Sequence, residues 1–159
     1  MKDLLFFKKA QKYFDNDKFD LALEYINNAI VLNNKNYCYY QLKGEILRIQ
    51  KNYKSALIQY NKAISLNNKD AMSYFYKGYL YYKQNKINLA LNNFNKSLKI
   101  HENYNTYYWK TKIYLQKKKF DLAIKNCNKY LELSKGYYQE NIKEEILKEV
   151  NRNIIDKAR

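Results

Sequence analysis

One spacing constrains this chain more than any other. Ala22, Ala56, Ala90 and Ala123 stand 34, 34 and 33 residues apart, each inside a segment of the same residue pattern. A large apolar residue precedes each alanine by three (Phe19, Tyr53, Ile87, Phe120), and Ala29, Ala63, Ser97 and Tyr130 follow by seven. Twelve residues before each alanine come Ala10, Gly44, Gly78 and Thr111. These small residues are preceded by Phe6, Tyr40, Tyr74 and Tyr107 and followed by Tyr13, Leu47, Tyr81 and Tyr114. Apolar spacings of three, four and seven mark a helical face. Small residues on facing helices let the backbones approach closely while large aromatics fill the gaps between layers. A fixed period over four segments means stacked modules rather than one irregular core.

Each module therefore reads as a pair of antiparallel helices. The first helices are predicted over Asp3–Asp15, Tyr37–Gln50, Ala71–Lys83 and Tyr104–Lys117, the second over Phe19–Leu32, Tyr53–Leu66, Ile87–Ile100 and Phe120–Leu133. Links such as Asn16–Lys18 and Gln84–Lys86 close the hairpins, with asparagine accepting left-handed backbone angles. Asn36 and Asp70 stand where N-caps are needed. After the fourth pair, Ile142, Ile146, Val150 and Ile154 form one apolar stripe on an otherwise charged segment. A stack of helical repeats leaves its last layer bare, so a capping helix is expected over about 137–158. The expected fold is all-α: one domain over residues 1–159, with repeats at about 3–36, 37–70, 71–103 and 104–136.

Composition agrees. The chain has no proline and three glycines, too little punctuation for a turn-rich β fold, and 47% apolar residues exclude a disordered composition. No apolar run approaches a membrane span, and the apolar run near the start is too short for a signal peptide core. A soluble, cytoplasmic protein with no membrane association is expected. Cys38 and Cys127 have no metal-ligand spacing around them and read as reduced thiols.

The pattern resembles the tetratricopeptide repeat, whose core of small, aromatic and alanine positions recurs here. The third repeat carries it most fully, with Tyr74, Gly78, Tyr81, Ala90 and Phe94; the second matches with Tyr40, Gly44, Ala56, Tyr60 and Ala63. The resemblance covers about residues 3–135. The family's closing proline is replaced by Asn34, Asn68, Glu102 and Lys135, and lysines 9, 43, 77 and 110 stand where leucine is usual. The fourth repeat departs furthest, with Thr111, Cys127 and Tyr130 in signature columns.

The resemblance implies a right-handed α–α superhelix of four helix pairs whose first helices line a concave groove. It assigns to that groove Leu4, Phe7, Gln11 and Phe14, then Cys38, Gln41, Glu45 and Arg48. The third and fourth repeats add Met72, Phe75, Tyr79 and Tyr82, then Asn105, Tyr108, Lys112 and Leu115. Of these, Phe7, Gln11, Phe14, Gln41, Glu45, Arg48, Phe75, Tyr79, Tyr82, Tyr108 and Lys112 are the candidate peptide-binding residues. Exposed aromatics on a rigid surface are the usual anchors for a bound peptide or helix. Tyr40, Tyr74 and Tyr107 are assigned to packing instead. Some relatives in this family clamp the C-terminal carboxylate of a chaperone. The corresponding positions here, among them Phe7, Gln11, Leu42, Met72 and Tyr76, lack cationic donors, so no such clamp is expected.

No catalytic constellation, cofactor motif or metal-ligand grouping is present in the sequence. His101 falls in a connection without a partner to orient it, and no glycine-rich phosphate loop exists. The reading is a non-enzymatic adaptor that holds a peptide or helix of another protein in an aromatic groove. A net charge of +15 keeps open a basic nucleic-acid-binding repeat protein, although only three of the 30 basic residues are arginine. A self-associating repeat protein, with a homo-oligomer closing the apolar surface, is the third reading.

Overall fold

The computed structural model describes residues 1–134 and, beyond them, Glu144, Lys148, Glu149 and Arg152. Apart from those four positions, the expected capping helix lies outside the described residues. Residues 1–134 form an all-α helical-repeat fold of eight helices: α1 (Lys2–Asp15), α2 (Phe19–Leu32), α3 (Tyr37–Ile49), α4 (Tyr53–Leu66), α5 (Ala71–Lys83), α6 (Ile87–Ile100), α7 (Tyr104–Gln116) and α8 (Phe120–Ser134). The periodicity placed every boundary within one residue. The chain divides into two compact units, Met1–Lys96 and a second beginning at Ser97, so that the boundary falls within α6.

The four hairpins turn in the same way. One residue in each link takes a left-handed backbone angle: Asp17 (φ 57°), Lys51 (φ 62°), Asn85 (φ 57°) and Lys118 (φ 53°). The next residue donates its N–H back to the carbonyl of Tyr13, Leu47, Tyr81 or Tyr114, at 2.9, 2.8, 2.9 and 2.9 Å. That six-to-one bond satisfies a carbonyl the helix end would otherwise leave open. Asparagine occupies the left-handed site only at Asn85. In the first link it is Asp17 and not Asn16, and the other two are lysines, whose Cβ clashes in this region. Replacing Lys51 or Lys118 by glycine is therefore expected to stabilise by about 1 kcal/mol each. The urea midpoint should rise with an unchanged slope, and a fall at both positions would contradict this account of the turns.

Side chains cap the starts of α3, α4, α5 and α7, whereas α1 and α2 have no side-chain cap. Asn36 and Asp70 cap α3 and α5, accepting from the N–H of Cys38 (3.1 Å) and Met72 (3.2 Å). Asn52 and Asn103 do the same for α4 and α7, accepting from Ser55 (3.3 Å) and Asn105 (2.8 Å). Each cap contributes about 1 kcal/mol, and the chain's many asparagines serve this need.

The core follows the repeat columns. Ala10, Ala22, Ala29, Ala56, Ala63, Ala90 and Ala123 are wholly buried, and Gly44, Gly78, Ser97 and Thr111 are buried with them. In the first unit Ala10, Ala22, Ile26, Ala29, Tyr39, Leu42 and Ile46 form one cluster, and Leu47, Ala56, Tyr60 and Leu80 form the next. Gly44 lies under the Tyr60 ring and Gly78 under Phe94. Tyr39 is anchored at its polar end, where its hydroxyl donates to Asp3 Oδ2 at 2.9 Å and Asn33 Nδ2 donates to the same oxygen at 3.1 Å. The second unit has its own cluster of Leu115, Ala123, Cys127 and Tyr130. Thr111 fits the small-residue column there because its hydroxyl donates to the Tyr107 carbonyl one turn back, at 2.9 Å.

Candidate binding surface

In the first unit α3 touches both α1 and α5, so the three first helices lie side by side. Side chains spaced by three, four and seven on each of them share one face. That face is partly solvent-exposed and chemically mixed. On α1, Leu4 is 49% exposed and Gln11 is exposed, whereas Phe7 and Phe14 are half-buried. Phe7 leans on Tyr39 with ring centroids 4.9 Å apart, and Phe14 meets Phe19 edge-on at 5.9 Å. On α3, Cys38, Gln41, Glu45 and Arg48 are all half-buried.

Between α3 and α5 the polar residues form a connected group. The Tyr76 hydroxyl donates to Glu45 Oε2 at 3.0 Å. Tyr76 also stacks on the buried ring of Tyr60, at 5.4 Å and 16° between planes. The Arg48 guanidinium lies 5.2 Å from the Tyr76 ring centroid and 5.7 Å from that of Tyr79, and Lys83 Nζ lies 5.9 Å from Tyr79. Burial pushes the Glu45 carboxyl above its ordinary range, opposed by the Tyr76 hydrogen bond and the Arg48 charge. Burial, with Glu45 beside it, likewise raises the Tyr76 hydroxyl. This arrangement places a cation against two aromatic faces, with the Glu45 carboxyl close enough to feel its charge.

Phe75 is a different case. It is only 7% exposed, with its ring 5.2 Å from Tyr76 and 6.0 Å from Phe94. It belongs to the packing of the third repeat, not to the displayed face, because the slot left by Gly78 draws Phe94 against it. Met72, Tyr79 and Tyr82, on the same helix, are half-buried and reach solvent. Of the tyrosines assigned to packing, Tyr40 is buried at 8% while Tyr74 and Tyr107 are half-buried. Packed residues that escaped the sequence reading include Tyr39 and Tyr76. Tyr39 is wholly buried, and Tyr76 joins α3 to α5 through Glu45. Only the spacing of Tyr76 from buried Ser73 and Leu80, three and four residues away, signalled a position on the edge of the buried stripe.

The second unit presents the corresponding face of α7. Asn105, Tyr108 and Lys112 are half-buried, with Tyr108 packed on Tyr130 at 5.7 Å and edge-on to Trp109 at 5.3 Å. Leu115 is 8% exposed and sits in that unit's core, so it too leaves the displayed set. Among the described residues no three His, Cys, Asp or Glu side chains converge to hold a metal ion, and no helix is long and apolar enough to cross a membrane.

Comparison with known proteins agrees with this architecture. A family model described as TPR repeat matches residues 44–85, and one described as tetratricopeptide repeat matches residues 104–137. No curated protein matches the sequence. Among solved structures, MamA is 22% identical, with a TM-score of 0.75 over 84% of this chain and 78% of its own. A tetratricopeptide repeat protein from Parabacteroides merdae is 23% identical, with a TM-score of 0.78 over 95% of this chain and 60% of its own. The first TPR of Spaghetti (RPAP3), solved bound to the HSP90 peptide SRMEEVD, is 21% identical, with a TM-score of 0.68 over 70% of this chain and 90% of its own. At such identities the likeness speaks for the fold. The two family matches, which fall on the repeat columns, place the chain in the tetratricopeptide-repeat family.

Proposed function

We propose that the chain is a non-enzymatic adaptor that holds a peptide or helix of another protein against the first-helix face of its first unit. The observation that carries this reading is the placement of Tyr79 and Tyr82 on α5, both half-buried and Tyr79 beside Arg48, with Gln11 and Phe14 on α1 and Gln41 on α3. Tyrosine offers a broad apolar face and one polar tip at low entropic cost, and arginine and tyrosine are over-represented among residues that dominate binding energy. Amide side chains beside them suit the backbone of an extended peptide or the flank of a helix. A family in which a related repeat domain holds the peptide SRMEEVD supports the same class of partner. Phe75 is not part of the proposed surface.

The test is capture of partners from native lysate by the full chain and by the variant Tyr79→Ala with Tyr82→Ala. Retained partner should fall at least about tenfold, the effect of losing one strong anchor. Helix content should be unchanged, because Tyr79 packs only at the rim of the Leu47, Ala56, Tyr60 and Leu80 cluster and neither ring is enclosed. Undiminished capture by the variant would count against this face.

A further inference from the structure

We infer that the second and third repeats carry a pair of docking sites for carboxylate side chains of an acidic, Asp- and Glu-rich segment of a partner protein. Each is built from a tyrosine near the start of the first helix and a lysine near the end of the second: Tyr40 with Lys62, and Tyr74 with Lys96. This edge does not involve the first-helix face and stands or falls independently of it.

The geometry is the same in both repeats. Lys62 Nζ lies 5.9 Å from the Tyr40 ring centroid and Lys96 Nζ 5.8 Å from that of Tyr74, and both lysines are exposed. A ring face holds an ammonium in place while leaving its N–H donors open to an incoming acceptor.

The fourth repeat identifies that acceptor. Its tyrosine and lysine in the same columns are Tyr107 and Lys129, and there the chain supplies two carboxylates itself. The Tyr107 hydroxyl donates to Glu102 Oε1 at 2.8 Å, and Lys129 Nζ donates to Glu132 Oε2 at 2.9 Å. Burial and the Glu102 contact push the Tyr107 hydroxyl up to about 12, and Glu132 raises the Lys129 ammonium. In the second repeat the positions of Glu102 and Glu132 are held by Lys35 and Ser65; in the third, by Lys69 and Lys99. The tyrosine and lysine columns persist in those repeats while the carboxylates are replaced.

In the second repeat the Tyr40 hydroxyl donates to the Asn34 carbonyl at 3.1 Å, which leaves Lys62 as that site's open donor. Among the described residues no carboxylate pairs with Lys62 or Lys96. From Tyr25 to His101 the sequence holds 12 basic residues and two acidic ones, Glu45 and Asp70. Asp70 is buried, caps α5 and accepts from Ser73, and Glu45 accepts from Tyr76. The lysines crowd one another instead: burial, then the neighbouring Lys96, pulls the Lys77 ammonium down. An acidic segment would relieve that repulsion. Carboxylates are favoured over nucleic-acid phosphates because carboxylates occupy the fourth repeat's version. The one arginine in the stretch, Arg48, is engaged with Tyr76 and Tyr79, so the bidentate fork that suits phosphate is absent from the edge.

The test uses the full chain and fluorescein-labelled oligoglutamate, followed by anisotropy at low ionic strength, with oligouridylate of equal charge as competitor. Replacing Lys62 and Lys96 by glutamine should weaken oligoglutamate binding about tenfold. The same loss of charge at exposed Lys8 and Lys12 on α1 should change it less than about twofold. Lys35→Glu with Ser65→Glu, which copies the fourth repeat's carboxylates into the second, should also weaken binding by closing that site from within. Circular dichroism keeps folding separate from binding in each variant. Three results would overturn the proposal: no binding of oligoglutamate, an equal loss from the Lys8 and Lys12 variant, or tighter binding of oligouridylate through the same lysines.

Discussion

Truncation of Phe94 to alanine is expected to destabilise the protein by about 3–5 kcal/mol, a large fraction of what a domain of this size possesses. The ring is wholly buried on α6, close against Gly78 on one side and 6.0 Å from the Phe75 ring on another. Removing it opens a cavity whose wall is a glycine, with no side chain to lean in and fill the space. Collapse is therefore limited, and the cost should lie toward the upper part of the range. A thermal midpoint lower by on the order of 10 °C corresponds to this loss. Phe94→Leu, which keeps most of the volume, should cost about 1 kcal/mol. A Phe94→Ala protein that melts within a degree or two of the parent would mean that the ring does not close the third repeat.

The second large effect has an unexpected sign. Glycine inside a helix is normally a weakness, and replacement by alanine gains about 1 kcal/mol. Gly44 on α3 and Gly78 on α5 should behave in the opposite way. A methyl group at Gly44 would stand 2.6 Å from Tyr60 Cε1 and 2.9 Å from Cδ1; at Gly78 it would stand 2.7 Å from Phe94 Cδ1 and 3.2 Å from the Ala90 carbonyl oxygen. Both rings are fully enclosed, and Tyr60 is held further by its stack on Tyr76. The rings cannot swing away, so the helices must separate. Overpacking costs about 1–3 kcal/mol, and contacts this short put both sites in the upper part of that range. Less the propensity gain of about 1 kcal/mol, a net loss of about 1–2 kcal/mol remains at each. Urea titration of the two variants checks the sign. Pairing Gly78→Ala with Phe94→Leu should recover part of the loss, since the smaller side chain vacates the contact.

Much of this fold was legible because the repeat reports the same physical demand four times. The alanine column marks where two helices touch, so its period gave the helix pairs and their ends. Asn36 and Asp70 were readable as caps because an acceptor immediately before an apolar periodic run has few other uses. The hairpin turns were only partly legible. Lys51 and Lys118 carry no preference for left-handed angles, and the backbone bonds that force them there join residues five apart across the turn.

The displayed face was harder to read for a specific reason. Phe75 and Tyr79 stand four residues apart on one helix and share a residue class, so spacing puts both on the same face. What separates them is the Phe94 ring, which reaches Phe75. Periodicity gives the direction of a side chain around its own helix, not the reach of a neighbour's. The same limit hid the buried Tyr39 hydroxyl, whose partner Asp3 lies 36 residues away. It also hid the tyrosine–lysine edge, whose members are 22 residues apart in each repeat and become interpretable only beside the glutamates of the fourth.

Small residues in fixed columns hold the helices together, while the half-buried Tyr79 and Tyr82 are the residues we propose to meet another protein. Parallel unfolding of Gly78→Ala and of Tyr79→Ala with Tyr82→Ala tests this most directly. Gly78→Ala, although it is the milder change by composition, should lose about 1–2 kcal/mol, more than the loss of both tyrosine rings. If the glycine variant is as stable as the parent and the double tyrosine variant unfolds, the columns do not carry the packing and the account is wrong.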